Sequence, residues 1–374
     1  MPQLSADIQD PVNQRILAVS EDQLQGFHAD PIGEIAERAE VPPDEVIDRL
    51  GAMLESGAIR RIRQTLLTTS LAPGALVAWR VEPDRLGEAF DDLFEHDPFT
   101  GHVVIRSTDQ DVAGSDFRLW TTLKTPVGFS LTRHCEYLAE RIGADAFLVM
   151  PAKKVFTLGV GHMRRRQLAP GARGESLAEP IDVAVVELSD RQWQVLAALK
   201  REFTAEELTR DLWSPRAEEV GMTLEAFCAE ARALEAKRVI GRFSTFLEHV
   251  KRHRDGSVVS RYNALFHWAV PPGREVDAGR EVGRHHVMTH AYWREAGPAF
   301  NHVNIMGVAH GTDKDRVLAH KVAIDQHLAE AGIDVTYTAV FWGGRSEIKP
   351  SEITPAAYLQ WCERMGLDPD TMRE

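Results

Sequence analysis

The sequence predicts an α+β protein built by tandem duplication, in which a winged helix-turn-helix segment followed by a ferredoxin-like α/β sandwich occurs twice. Three matches predict it. GALVAWRVEPDR (Gly74 to Arg85) recurs as NALFHWAVPPGR (Asn263 to Arg274), with Ala75/Ala264, Leu76/Leu265, Trp79/Trp268, Val81/Val270, Pro83/Pro272 and Arg85/Arg274 identical at one offset. GHVVIR (Gly101 to Arg106) recurs as THAYWR (Thr289 to Arg294), pairing His102 with His290 and Arg106 with Arg294. AIRRI (Ala58 to Ile62) recurs more weakly as VIGRF (Val239 to Phe243), which aligns Arg61 with Arg242. Matches in the same order along both halves are the signature of a duplicated unit.

The elements follow in order. PVNQRILAV and PIGEIAERAEV carry apolar residues at helical spacing, and Pro42 and Pro43 open a third helix, PDEVIDRLGAMLESG, that Gly57 ends. AIRRIRQTLL then reads as a wing strand, completing the winged helix-turn-helix pattern. In the second half SDRQWQVLAALK, TAEELTRDLW and TLEAFCAEARALEAKRV are the corresponding helices, with Ser189 and Thr223 placed to cap them. After each wing, strands such as ALVAWRV and ALFHWAV alternate with helices DRLGEAFDDLFEHD, TRHCEYLAERIG and DKDRVLAHKVAIDQHLAEAG. The β-α-β-β-α-β order is the split-βαβ sandwich. The resulting domains are 10–70, winged helix; 71–166, sandwich; 167–180, a Gly-, Pro- and Ala-rich linker; 181–248, winged helix; 249–349, sandwich; and 350–374, a tail with one helix.

Composition narrows the function. The chain has 374 residues, 44% of them hydrophobic, and a net charge of −13. An acidic whole disfavours nucleic acid as the main partner. The third helix sharpens this, since Asp44, Glu45, Asp48 and Glu55 outnumber Arg49 and would repel phosphates, so specific DNA binding is not expected. Three separated cysteines form no disulfide or zinc pattern, and the N-terminus lacks a secretory pattern, so a cytoplasmic, non-membrane protein is expected.

The recurring His-x-x-x-Arg is the main chemical signal. Residues i and i+4 of a strand share a face, so His102 lies beside Arg106 and His290 beside Arg294. Histidine exchanges protons near neutral pH, and arginine grips carboxylates in a bidentate fork. The plain alternative is a solvent-facing basic pair or a core histidine; recurrence in both halves gives the functional reading its weight. Basic runs at 60–63, 153–154, 162–166, 249–254 and 284–286 could line an anion pocket. No phosphate loop, dinucleotide motif or nucleophile elbow occurs, and the spacing of the histidines supports no metal site made of protein ligands alone.

A winged helix followed by an α+β sandwich resembles the Lrp/AsnC regulators. The details resemble one enzymatic branch more closely, the sirohaem decarboxylases, which occur as two related subunits or one fused chain. Family members carry a basic loop after the wing and then His-Asn-Tyr-Leu-Arg or His-Cys-Tyr-x-Arg on a strand. Here the second half has LEHVKRHRDG followed by His290-Ala-Tyr292-Trp-Arg294, whereas the first half has Val104 in place of the tyrosine. The resemblance implies loss of carbon dioxide from two acetate side chains of sirohaem, feeding haem d1 or alternative haem biosynthesis. It implies His290 as proton donor with Tyr292 in support, Arg294 as carboxylate holder, and His102 and Arg106 as the corresponding pair. It implies Arg61, Arg63, Arg242, His249, Lys251, Arg252 and the aromatic Trp120 as substrate-binding residues. Axial ligation of the substrate iron by His290 or His102 is the rival role. No cofactor beyond the iron-bearing substrate is implied. The fused halves would form an internal pseudo-dimer, and a homodimer or a partner subunit is compatible. An Lrp/AsnC-type ligand-sensing regulator and a non-catalytic tetrapyrrole-binding protein are the alternatives.

Overall fold

The computed structural model describes residues 5–67, 71–72, 74–158, 168–183, 185–247 and 261–374. Two compact units gather these residues, and each draws on both sequence halves. The first contains 5–67, 186–247 and Arg261, and the second contains 71–158, 168–183, Val185 and everything from Tyr262 onward.

The first unit holds α1 (Pro11–Ser20), β1 (Leu24–Gln25), α2 (Pro31–Ala39), α3 (Pro43–Glu55) and β2 (Ile59–Leu66). From the second half it takes helices Asp190–Lys200, Ser214–Glu219 and Leu224–Ala236 and strand Ile240–Leu247. Capping explains the helix starts. Asp10 and Asp30 accept backbone N–H groups ahead of Pro11 and Pro31, and Ser189 forms a capping box with Gln192. Strand Ile240–Leu247 runs antiparallel between β1 and β2, so the basic strands of the two halves are direct neighbours.

One expected helix is absent. TAEELTRDLW folds as turns, and the helix there begins only at Ser214. Side chains explain the change: Glu207 accepts from the backbone of Thr204, Thr209 donates to the carbonyl of Asp211, and Asp211 accepts from the backbone of Ser214. Such local bonds compete with the helical ladder. Leu208, Leu212 and Trp213 are buried nonetheless.

The second unit repeats one element order. The first half gives β3 (Gly74–Arg80), α4 (Leu86–His96), β4 (Thr100–Ser107), β5 (Leu119–Lys124), α5 (Leu131–Ile142) and β6 (Ala146–Leu158). A short strand, β7 (Ile181–Asp182), then pairs with β6. Counting on through the first unit, its second-half helices are α6, α7 and α8 and its strand Ile240–Leu247 is β8. The second half then gives β9 (Tyr262–Ala269), α9 (Glu275–Gly283), β10 (Met288–Arg294), β11 (Ile305–Gly311), α10 (Lys314–Glu330) and β12 (Tyr337–Ile348), followed by the tail helix α11 (Pro355–Met365).

Eight of these strands close into an antiparallel ring in the order β10-β11-β9-β12-β4-β5-β3-β6, with β6 returning to β10. The long strands make the closure. β6 pairs with β3 through Ala146–Pro151 and with β10 through Ala152–Leu158. β12 pairs likewise with β9 and then β4. Closure leaves none of the eight with an open edge. Outward residues Val77, Trp79, Val103 and Leu119 pack on α4 and α5, and Phe266, Trp268, Ala291 and Ile305 pack on α9 and α10. Ala78, Val104, Trp120, Met150, Leu265, Met306 and Phe341 pack in the interior, joined by Phe300.

Sequence periodicity did not reveal α9, because it carries Gly279 and Gly283. Gly279 is needed where it stands: an added Cβ would lie 2.0 Å from the Phe156 ring. No helix among the described residues is long and apolar enough to cross a membrane.

Candidate active site in the barrel interior

Strand alternation aims the recurring residues. On β4, Val103 and Ile105 belong to the outer core, so His102, Val104 and Arg106 face inward. On β10, Ala291 and Trp293 belong to the outer core, so His290, Tyr292 and Arg294 face inward. The two arginines then make equivalent bonds. Arg106 donates to the Phe341 carbonyl on β12, and Arg294 donates to the Met150 carbonyl on β6. Those carbonyls match by register, since Met150 pairs with Leu76 and Phe341 with Leu265. Each arginine therefore reaches the long strand contributed by the other half.

Neither arginine meets an acid. Arg106 is 5% exposed and Arg294 8%, and no carboxylate pairs with either among the described residues. Burial lowers the Arg106 pKa to about 10 and also lowers that of Arg294. Arginine keeps its proton at neutral pH even when buried, so among the described residues these two charges meet carbonyl and phenol dipoles and no carboxylate.

Around β10 the groups are closely placed. The Arg294 guanidinium lies 4.5 Å from the centre of the Tyr292 ring. The His290 and Tyr292 rings are near parallel with centroids 6.0 Å apart, and His290 Nδ1 lies 3.0 Å from the Thr289 hydroxyl. Burial raises the Tyr292 pKa, with Arg294 opposing it, so the phenol keeps its proton. Around β4, His102 Nε2 lies 2.8 Å from the Ser346 hydroxyl, and Val104 supplies no polar atom.

Two interior groups escaped the sequence reading. Lys124 stands on the inward face of β5, in step with Trp120, and its pKa is lowered to about 8 by burial and then by Arg294. His267 is 0% exposed, and neither ring nitrogen has a hydrogen-bond partner. Burial, then Arg106 and Lys321, lower its pKa to about 3, so the ring is neutral. Alternation in FRLWTTLKT was the available signal for Lys124. For His267 it was the repeat itself, where Ala78 is the counterpart.

The remaining predicted residues lie elsewhere in the fold or outside the described residues. Trp120 is fully buried in the interior and donates to the Phe117 carbonyl at 2.6 Å. In the first unit, Arg61, Arg63 and Arg242 surround one ring, each with its guanidinium 5.7–5.9 Å from the centre of Phe246. Arg61 also pairs with Glu202 at 3.2 Å, and burial followed by Arg61 lowers the Arg63 pKa to about 10. His249, Lys251 and Arg252 lie outside the described residues.

A second cluster, Glu281, His285 and His327, has metal-ligand chemistry. Its members are already engaged: Glu281 pairs with Arg173 and Arg284, each at 2.8 Å, and His285 and His327 bond each other at 2.8 Å. A surface cleft beside α11, lined by Glu95, His96, Arg141, Lys349, Glu352 and Arg364, carries both signs of charge.

No family model matches the chain. A sirohaem decarboxylase NirDL subunit from Paracoccus pantotrophus is 26% identical over 286 residues, which is 74% of this chain and 79% of that protein. The crystal structure of the sirohaem decarboxylase NirDL superposes with a TM-score of 0.65 at 17% identity, covering 96% of this chain and 99% of that one. By sequence and fold, the chain is a relative of the sirohaem decarboxylases. A sirohaem decarboxylase beta subunit from Desulfovibrio desulfuricans is 33% identical over 78 residues, 20% of this chain and 48% of its own length. NirDL has also been solved in complex with an iron-uroporphyrin III analogue, and that structure superposes with a TM-score of 0.64 at 17% identity over 95% of this chain and 99% of that one. The likeness to the NirDL sirohaem decarboxylase extends over both halves of the chain.

Proposed function

We propose that the protein is a sirohaem decarboxylase that binds its substrate through the inward-facing His–Arg strands of the barrel. One observation carries the reading: Arg106, Arg294 and Lys124 face one interior, and no acid pairs with any of them among the described residues. Buried cations without counter-ions call for an anionic ligand, and sirohaem presents many carboxylates. The names of the related proteins and the porphyrin-type ligand of the NirDL complex support the same choice.

The chemistry asks for binding and one proton. The bond between the side-chain methylene and its carboxylate breaks, carbon dioxide leaves, and the electron pair stays on the methylene carbon, where the conjugated macrocycle spreads it. A proton then completes the methyl group. His290 supplies that proton, Tyr292 orders the ring beside it, and Arg294 orients a carboxylate. No cofactor beyond the substrate enters this scheme. Axial ligation of the iron by His290 or His102 is the competing role. The arginines around Phe246 form a second anion-binding surface in the other unit.

In this reading the helix–strand segments are winged helices retained for architecture rather than DNA reading, and the α+β segments are ferredoxin-like sandwiches. A reducing, cytoplasmic setting accords with three buried free cysteines, Cys135, Cys228 and Cys362. The test is anaerobic incubation of the purified protein with sirohaem, followed by mass spectrometry of the tetrapyrrole. Loss of two carbon dioxide units is expected. An unchanged mass with a shifted absorption spectrum would favour a tetrapyrrole binder instead.

A further inference from the structure

We infer that Lys124 and Arg294 form a two-cation clamp for one substrate carboxylate, Lys124 being contributed by the first half to the site that β10 builds in the second. The inference rests on the tetrapyrrole reading above.

Register places the clamp. Arg294 pairs with Ala152 on β6, the residue after the Pro151–Ala75 pair of β6 and β3, and Gly74, just before Ala75, pairs with Lys124 on β5. Arg294, Ala152, Gly74 and Lys124 thus form one row across four neighbouring strands. The middle of that row is low, with one methyl and one missing side chain. Lys124 uses the space: its Cγ lies 2.7 Å from where a Cβ on Gly74 would stand. Burial first, and then the charge of the Arg294 guanidinium, lower the pKa of the Lys124 ammonium.

Among the described residues no carboxylate, hydroxyl or carbonyl bonds the Lys124 side chain, and Arg294 holds only the Met150 carbonyl and Tyr292. Two cations facing one interior from the two ends of such a row repel, and a carboxylate between them removes that cost. The other side of the barrel lacks the pair. Asn263 and His310 occupy the positions of Gly74 and Lys124 there. The other titratable groups facing the interior around Lys124 are Tyr292 and His290 on β10 and His102 on β4. β3 and β6 offer Leu76, Leu148 and Met150 inward, while Lys154 pairs with Asp182 and Lys153 with Glu295.

The experiment is a spectrophotometric titration with iron-uroporphyrin III, a polycarboxylate probe read by binding rather than turnover, from pH 6.5 to 9.5. The lysine binds an anion only when protonated, and bound carboxylate raises its pKa. Wild-type affinity is therefore expected to hold below pH 8 and to fall above it, by up to about tenfold per pH unit. Lys124→Gln is expected to bind about tenfold more weakly at pH 7 and to lose the fall. Lys124→Arg is expected to bind as wild type at pH 7 and stay flat to pH 9.5. Gly74→Ala, which pushes on Cγ, is expected to weaken binding as well. Lys124→Gln with wild-type affinity and pH profile would overturn the clamp while leaving the tetrapyrrole reading intact. Failure of the wild type to bind at any pH would overturn both.

Discussion

The two sides of the barrel share a backbone and differ in chemistry. Each offers an inward histidine and an inward arginine bound to the carbonyl of a long strand. By register, Val104, Trp120 and Ala78 on one side correspond to Tyr292, Met306 and His267 on the other. Near β10, the arginine meets a phenol and a lysine. Near β4, the arginine meets a valine position and a neutral, unpartnered imidazole. Duplication preserved what the fold needs, namely outward apolar residues and the carbonyl bond of the arginine. The inward polar residues were free to diverge, and the roles proposed above in carboxylate binding and proton transfer fall on the β10 side, where the phenol and the lysine stand.

Breaking the comparison at the arginines has the largest expected effect. Arg294→Met is expected to weaken iron-uroporphyrin III binding on the order of 100-fold, the usual cost of removing one partner of a buried charged contact. Arg106→Met is expected to cost less than about tenfold. Equal losses, measured by the same titration, would mean that the two sides bind alike.

His267 sharpens the comparison through stability. Its folded pKa, about 3, lies below the ordinary histidine value. The unfolded chain therefore takes up a proton first as pH falls, and stability present above about pH 6.5 is lost toward pH 3, by at most about 1.4 kcal/mol per pH unit. His267→Phe is expected to remove that slope and to gain about 1 kcal/mol at pH 7, because two unsatisfied ring nitrogens leave the core. Urea denaturation at pH 5 and pH 7 checks both; an unchanged slope would show that the ring is not neutral in the fold.

The smallest effect concerns the coverings. The tail covers the first half, where Tyr358 and Trp361 pack on Phe99 and the Tyr358 hydroxyl lies 2.9 Å from His134 Nδ1. The second half is covered by the segment after Leu168, tied by Arg173 to Glu281 and by the Gly174 backbone to the Arg284 carbonyl. Tyr358→Phe is expected to cost about 1 kcal/mol of stability by removing one buried hydrogen bond. Tetrapyrrole binding is expected to stay unchanged.

Much of this architecture was readable from periodicity. The repeats of Trp79 with Trp268 and His102 with His290 located equivalent strands, because outward packing and the arginine bond constrain both copies alike. Ser189 and Thr223 located helix starts through capping. Two things were hidden. Local side-chain bonds at Thr204, Thr209 and Asp211 replaced an expected helix, and close packing of Phe156 required glycines that obscured α9. The candidate site was half legible. Strand parity put His290 and Arg294 on one face without saying which, and Lys124 approaches them only because β6 crosses from one half to the other. Sequence spacing carries no trace of that closure.

The most direct test compares His290→Gln with His102→Gln in single-turnover incubations with sirohaem, read by mass spectrometry. His290→Gln is expected to slow carbon dioxide loss by about 100- to 10,000-fold, the range for a positioned proton donor, while His102→Gln still converts its substrate within about tenfold of the wild-type rate. A His290→Gln protein that decarboxylates normally, or a His102→Gln protein that is equally inert, would contradict the proton-donor role of His290.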